Sequence, residues 1–175
     1  MTDQNIVELC LDGNRKAQKV LYDNYKNGMY VVCSRYFSQD DLAEDALHEG
    51  FIKVFRDLGQ YDSEKGTLGG WVRKVMVNTC LEIIRKNRIK IDDIDEQHDI
   101  QSNDPNIISE LNLKDLTKLI QLLPDGYRYV FNLFVIEGFS HQEIAQKMNI
   151  TESTSKSQLF KAKNWLRKRI ENILI

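Results

Sequence analysis

The chain has only two prolines, nine glycines and three cysteines in 175 residues. So few helix breakers, with abundant Leu, Ile, Lys, Glu and Gln, favour an all-helical protein. Cys10, Cys33 and Cys80 are odd in number, widely spaced and form no Cys-x-x-Cys pair. That excludes a zinc ribbon and points to reduced thiols. The N-terminus lacks a basic start followed by an apolar run, and no stretch is long enough to span a bilayer. A cytoplasmic location without stable membrane insertion is therefore expected. Catalytic hallmarks are also missing. His48, His98 and His141 are scattered, and no His-x-x-x-His, phosphate-cradling glycine loop or Gly-x-Ser-x-Gly occurs. No enzyme, metal site or cofactor is expected.

Charge is nearly balanced at −2, but it is segregated along the chain. Ile6, Leu9 and Cys10 share one face of a short first helix, closed by Gly13-Asn14. Ala17, Val20, Leu21, Tyr25, Met29, Val32 and Cys33 mark a second, with Gly28 inside the pattern as a possible break. The next helix pairs an apolar side (Leu42, Ala46, Phe51, Val54, Phe55) with an acidic one (Asp40, Asp41, Glu44, Asp45, Glu49). Asp40 or Asp41 is placed to cap it and Gly59 to end it. A polar loop, residues 60–67, leads to a helix over Leu68–Arg88. Its apolar face is Trp71, Val72, Val75, Met76, Thr79, Ile83 and Ile84. Its polar side carries Arg73, Lys74, Arg85, Lys86 and Arg88 against one acid, Glu82. Residues 91–107 lose periodicity and crowd together Asp92, Asp93, Asp95, Glu96, Asp99 and Asp104, the composition of a flexible acidic linker. Two small helical domains, 1–90 and 108–175, follow.

In the second domain Ile107–Leu123 reads as an amphipathic helix. Pro124 suits the first turn of the next, a strongly apolar helix over Asp125–Ile136 that Gly138 ends. Ser140-x-x-Glu143 is a capping box and Thr151 caps a final helix, so the two stand in helix-turn-helix register. Leu159, Ala162, Trp165, Leu166 and Ile170 face inward. Ser153, Thr154, Lys156, Ser157, Gln158 and Lys161 form a polar and cationic row suited to base edges and phosphates in a major groove. A solvated basic helix is the plainer alternative. The acidic helix is either a solvated face or a docking surface for a basic partner. Trp71 fits the core stripe and also a stacking platform for a single strand. The Asn78 amide suits a base or a buried carbonyl equally.

Taken in order, residues 41–55, residues 71–81, Leu123-Pro124, residues 139–145 and residues 155–162 resemble the sigma-70 family of bacterial transcription initiation factors. The likeness is to its small extracytoplasmic-function (ECF) group, and it covers nearly the whole chain. The resemblance implies that Asp41, Asp45, Glu49 and Phe55 dock on the clamp of the largest subunit of core RNA polymerase. It implies that the loop with Tyr61, Ser63 and Lys65 holds a flipped base of the −10 element, with Trp71 and Asn78 beside it. Arg73, Lys74, Arg85, Lys86 and Arg88 would hold single-stranded phosphates. Ser153, Thr154, Lys156, Ser157, Gln158 and Lys161 would read double-stranded −35 DNA, the second domain also meeting the polymerase flap. An anti-sigma factor is an implied partner. The chain departs from the family pattern at Gly69-Gly70, at Ser155 and at Gln158, so a −35 preference does not carry over from relatives. Two rival readings are a stand-alone helix-turn-helix regulator with an N-terminal sensing or dimerising domain, and an enzyme with a DNA-binding tail.

Overall fold

The computed structural model describes residues 2–91 and 113–173, with side chains placed for residues 2–87 and 116–171. The linker expected at 91–107 lies outside the described residues except for Ile91, as do the start of the helix expected from Ile107 and the side chain of Arg88. Every regular element among the described residues is helical: α1 (Asp3–Leu11), α2 (Arg15–Tyr36), α3 (Asp40–Asp57), α4 (Leu68–Ile91), α5 (Leu113–Gln121), α6 (Asp125–Phe131), α7 (His141–Met148) and α8 (Glu152–Ile173). The chain divides into two compact units, Met1–Ile84 and Arg85–Ile175, the division falling within α4.

In the first unit the helix starts follow local chemistry. Asn14 caps α2 by accepting from the Lys16 and Ala17 N–H groups, at 3.0 and 3.2 Å, after Gly13 turns the chain at φ +78°. Gly28 does not interrupt α2, which runs unbroken to Tyr36. Its inward stripe is narrower than expected: Ala17, Leu21, Met29, Val32, Cys33 and Tyr36 are buried, whereas Val20 is exposed. The cap of α3 is Gln39, without a side-chain bond, rather than Asp40 or Asp41; both aspartates sit inside the first turn, where they face the positive end of the helix. Gly59 is not a left-handed C-cap either. A 3-10 turn, Leu58–Gln60, absorbs it, and Leu58, buried beneath, fixes that turn.

Gly50 of α3 and Met76 of α4 mark a close approach of the two helices. A Cβ at Gly50 would lie 2.2 Å from the Met76 sulfur. Burial on α4 is consequently wider than its sequence stripe: Val72, Met76 and Thr79 are inside as expected, but so are Leu68, Val77, Cys80 and Leu81, while Trp71, Val75 and Ile83 are half-buried. The glycines before Trp71, where the chain departs from the family pattern, lie inside the first turn of α4. Thr67 Oγ1 accepts from the Gly70 N–H at 3.1 Å, and Gly69 lies against the Tyr25 ring, where a Cβ would come within 3.1 Å.

The second unit packs Leu119, Leu123, Ala162 and Leu166 together, with Tyr127, Phe131, Trp165 and Ile170 around them. Pro124 is the residue before α6, an N-cap position rather than its first turn. The helix expected to reach Ile136 widens after Phe131 into a π turn, Asn132–Ile136, closed by the Glu137 N–H donating to the Asn132 carbonyl at 2.9 Å. Gly138, at φ +78°, then turns the chain toward α7.

Arg128 is 4% exposed, an unusual place for a guanidinium. It donates to the Gln121 and Leu123 carbonyls at the end of α5, at 2.9 and 3.0 Å, and pairs with Asp125. It thus closes one helix and begins the next, satisfying carbonyls that a helix end leaves without partners. Arg128→Met is expected to cost about 1–3 kcal/mol, since the buried Leu123 carbonyl loses this donor; chemical denaturation followed by circular dichroism checks this.

Candidate nucleic-acid interface

Three surfaces carry the residues singled out by sequence. The first is the outward face of α3. Asp41 and Asp45 are exposed there, four positions apart and therefore on one side of the helix. Neither forms an ion pair among the described residues; Asp41 accepts only from the adjoining Leu42 N–H, at 2.9 Å. Glu49 continues the row but is engaged: Lys53 Nζ lies 3.2 Å from it and 2.7 Å from Glu82 of α4. Burial draws the Lys53 ammonium down, and its bonds to Glu82 and Glu49 outweigh that and hold it above its ordinary value. Phe55 is half-buried, its ring 6.2 Å from that of Phe51. Sequence reading missed Ile52. It is 67% exposed, between the acids and Phe55, on a helix whose apolar period would have placed it outside the core.

The second surface is the loop before α4 and the outward face of α4. Asp62, not singled out by sequence, organises the loop. Its carboxylate accepts from the Glu64 N–H at 3.0 Å and pairs with Lys65 at 3.0 Å, and these bonds hold it below the usual carboxylate range, Lys65 first. The Tyr61 hydroxyl donates to the Gly66 carbonyl at 3.2 Å, and its ring lies 6.0 Å from that of Trp71 at a 57° tilt. Ser63 is left at the exposed tip. At ~100° per residue, Trp71, Lys74, Asn78 and Arg85 share one side of α4, and Lys86 borders it. Lys74, Arg85 and Lys86 are exposed and Asn78 half-exposed. Arg73 does not join them; it is half-buried on nearly the opposite side.

The third is α7 with α8. Ser140 and Glu143 complete the capping box: Ser140 Oγ accepts from the Glu143 N–H at 3.2 Å, and the Glu143 carboxylate accepts from the Ser140 N–H at 2.8 Å. Those bonds keep Glu143 below its ordinary pKa. Asn149, in the left-handed region at φ +53°, and Thr151, accepting from the Thr154 N–H at 3.0 Å, make the tight turn between the helices. On α8, Ser153, Lys156, Ser157 and Lys161 are exposed and Thr154 half-buried. Gln158 is not offered outward with them. A Cβ at Gly126 would lie 3.1 Å from its Oε1, an atom buried without a hydrogen-bond partner among the described residues. Phe160, read over in the sequence, is 68% exposed among the cations.

Ser155 is fully buried, and its hydroxyl is hydrogen-bonded to His141 Nδ1 at 2.9 Å, which accounts for a polar residue in the inward stripe. The His141 ring stacks on Phe134 at 4.5 Å. Burial, then the charges of Lys156 and Lys163, lower its pKa, with Glu152 opposing. A histidine depressed in the fold stabilises above its unfolded pKa of ~6.5 and loses that stability as pH falls through the lower folded value. The melting temperature is therefore expected to hold from neutral pH to about 6.5 and to decline below it, and His141→Gln should flatten that decline. Thermal denaturation from pH 7.5 to 5 reads both.

Among the described residues no helix is long and apolar enough to cross a membrane, and no group of His, Cys, Asp and Glu is arranged to hold a metal ion. Comparison with known proteins matches residues 21–89 to sigma-70 region 2 and residues 113–166 to sigma-70 region 4. The chain is 24% identical over 187 residues to the ECF RNA polymerase sigma-E factor of Haemophilus influenzae, covering 99% of this chain and 98% of that one. It is 26% identical to the sigma-E factor of Escherichia coli, covering 99% and 97%. Among solved structures, the sigma factor RpoE bound to the anti-sigma factor NepR from Bartonella quintana shares the fold at a TM-score of 0.54, with 21% identity over 87% of this chain and 96% of that one. CnrH, in complex with the cytosolic domain of CnrY, does so at 0.50, with 16% identity over 97% of each. With both regions matched in order over most of its length, the chain belongs to the sigma-70 family, in its ECF group.

Proposed function

We propose that this chain binds core RNA polymerase and directs it to promoters by gripping DNA at two places. The observation that carries the reading is the segregation of exposed charge among three helices: acids on α3, cations on the outward side of α4, and a cationic row on α8 of a doubly capped helix-turn-helix. Residues 1–90 serve docking and −10 capture, residues 91–107 link, and residues 108–175 read −35 DNA and meet the flap. On α3, Asp41 and Asp45 supply charge to the clamp and Ile52 and Phe55 the apolar centre, the usual division between rim and core of an interface. The Tyr61–Thr67 loop, Trp71 and Asn78 receive an unstacked base, while Lys74, Arg85 and Lys86 hold phosphates. The factor acts in the cytoplasm and performs no chemistry. Flipping a base costs a few kcal/mol, met by binding to polymerase and to both elements.

Two proteins of this fold are solved in complexes, RpoE with the anti-sigma factor NepR and CnrH with the cytosolic domain of CnrY, and a partner that masks these faces is proposed here too. The stand-alone regulator is not favoured, since its sensing domain needs neither the cations of α4 nor an acidic docking face. The test is reconstitution with purified core polymerase, followed by sequencing of the DNA bound and transcribed. Enrichment of a two-part motif is expected; absence of core binding and of any selectivity over core alone would sink the reading.

A further inference from the structure

We propose that Lys53 screens Glu82 on the strand-binding side of α4, and that engagement of Glu49 by the docking partner strengthens the screen, so that docking on α3 and strand capture on α4 are coupled through one lysine. The proposal rests on the roles given above to α3 and α4.

Glu82 is the single acid of α4, four positions after Asn78 and three before Arg85, hence on the side that carries Lys74 and Asn78. A carboxylate there repels a phosphodiester strand. Lys53 reaches it from α3 at 2.7 Å and reaches Glu49 at 3.2 Å. The lysine side chain is 15% exposed, whereas those of Glu49 and Glu82 are 40% and 41% exposed. Both acids therefore remain open to a partner, and the cation between them does not. The triad carries one net negative charge, since one ammonium with three donors serves two carboxylates. When a cation of the docking partner takes Glu49, that excess is cancelled and Lys53 is left to Glu82. The potential on the α4 side becomes more positive without movement of either helix, and its effect falls within the reach of unscreened charge. Linkage requires the converse, that a bound strand strengthens docking by the same factor.

The experiment measures binding of a fluorescent random-sequence DNA single strand to the full chain, alone and in holoenzyme, with the signal of core polymerase subtracted. Lys53→Met is expected to weaken capture by holoenzyme about tenfold, and K53M/E82Q to restore it to within about twofold, because the acid that needed screening is gone. Glu49→Gln in the free chain should raise strand affinity about threefold, imitating docking. A lysine that only fastens α3 to α4 predicts no rescue by E82Q and no gain from E49Q, and that pattern, or an unchanged K53M, overturns the proposal. Melting temperatures of all variants separate loss of fold from loss of screening. If Lys74→Ala and Arg85→Ala also leave capture unchanged, the reading of α4 as the strand-binding face falls and the proposal falls with it; if those two weaken capture while rescue fails, only the coupling is wrong.

Discussion

Replacing Asp41 and Asp45 together by lysine is expected to lower affinity for core RNA polymerase about 100-fold and to silence promoter-directed transcription while the fold stays intact, because close interfacial charge pairs couple by several kcal/mol. The two carboxylates are exposed and tied to no cation among the described residues, so reversal breaks no internal ion pair. A modest drop in melting temperature is expected from Asp41, which lies in the first turn of α3 and complements the helix dipole there. Glu49 is a poorer choice for this test, since its loss also disturbs Lys53 and Glu82. Ile52→Ala is the companion. Being 67% exposed it contributes little to the core, yet an aliphatic side chain ringed by charges is where an interface concentrates its energy, and about tenfold weaker docking is expected. Titration of labelled chain with purified core polymerase gives both values. Wild-type affinity in the aspartate pair would remove α3 from the docking surface.

The contrast between Glu49 and its neighbours shows what charge patterning in a sequence conveys and what it does not. Acids recurring along one side of a helix identify an exposed face, because burying them unpaired is too costly. Which of them is free depends on what approaches from another helix: Lys53 of α3 meets Glu82 of α4, two helices that also approach closely at Gly50 and Met76.

Helix boundaries were legible where a single residue type does a single job: the Ser140–Glu143 box and Thr151 cap as their chemistry requires, whereas Asn14, read only as the end of α1, and Thr67, read only as loop, turn out to serve the helices that follow. They were illegible where neighbours compete. Two polar residues, Ser38 and Gln39, precede α3 and two aspartates open it; the one in the cap position, Gln39, makes no side-chain bond, so propensity had nothing to detect. The π turn after α6 and the burial of Arg128 are tertiary outcomes: an arginine in an apolar segment reads as a surface residue until the carbonyls of Gln121 and Leu123 lie beside it. On α4 the sequence reading grouped Arg73 with Lys74, Arg85 and Lys86, since counting cations ignores the ~100° step between residues, and it left Asn78 undecided; the helix puts Lys74, Asn78 and Arg85 on one side and Arg73 off it.

On α8, Lys156→Ala is expected to weaken −35 binding by holoenzyme about tenfold, whereas Gln158→Ala should leave base preference nearly unchanged and act on stability instead. Lys156 is exposed on the outer side of the second helix of the pair, the position from which a side chain enters the major groove. If it holds a phosphate, the loss is uniform across sequences and the slope of log affinity against log salt falls by about one; if it holds a guanine edge, the loss is confined to one position. The glutamine amide suits adenine by its chemistry, and the sequence placed it in the same row. Its side chain is instead turned against Gly126 of α6, with its oxygen buried, and bringing it to a base would strip that packing. Phe160, 68% exposed beside these cations, is positioned to meet an apolar base feature, and the thymine methyl is the one the major groove offers. Phe160→Ala should therefore lower affinity only for sites with thymine at the contacted step. Binding of each holoenzyme variant to a panel of single-base −35 substitutions, at three salt concentrations, separates these outcomes. A Gln158→Ala holoenzyme that loses preference at one base pair would show that the side chain leaves Gly126 when DNA arrives.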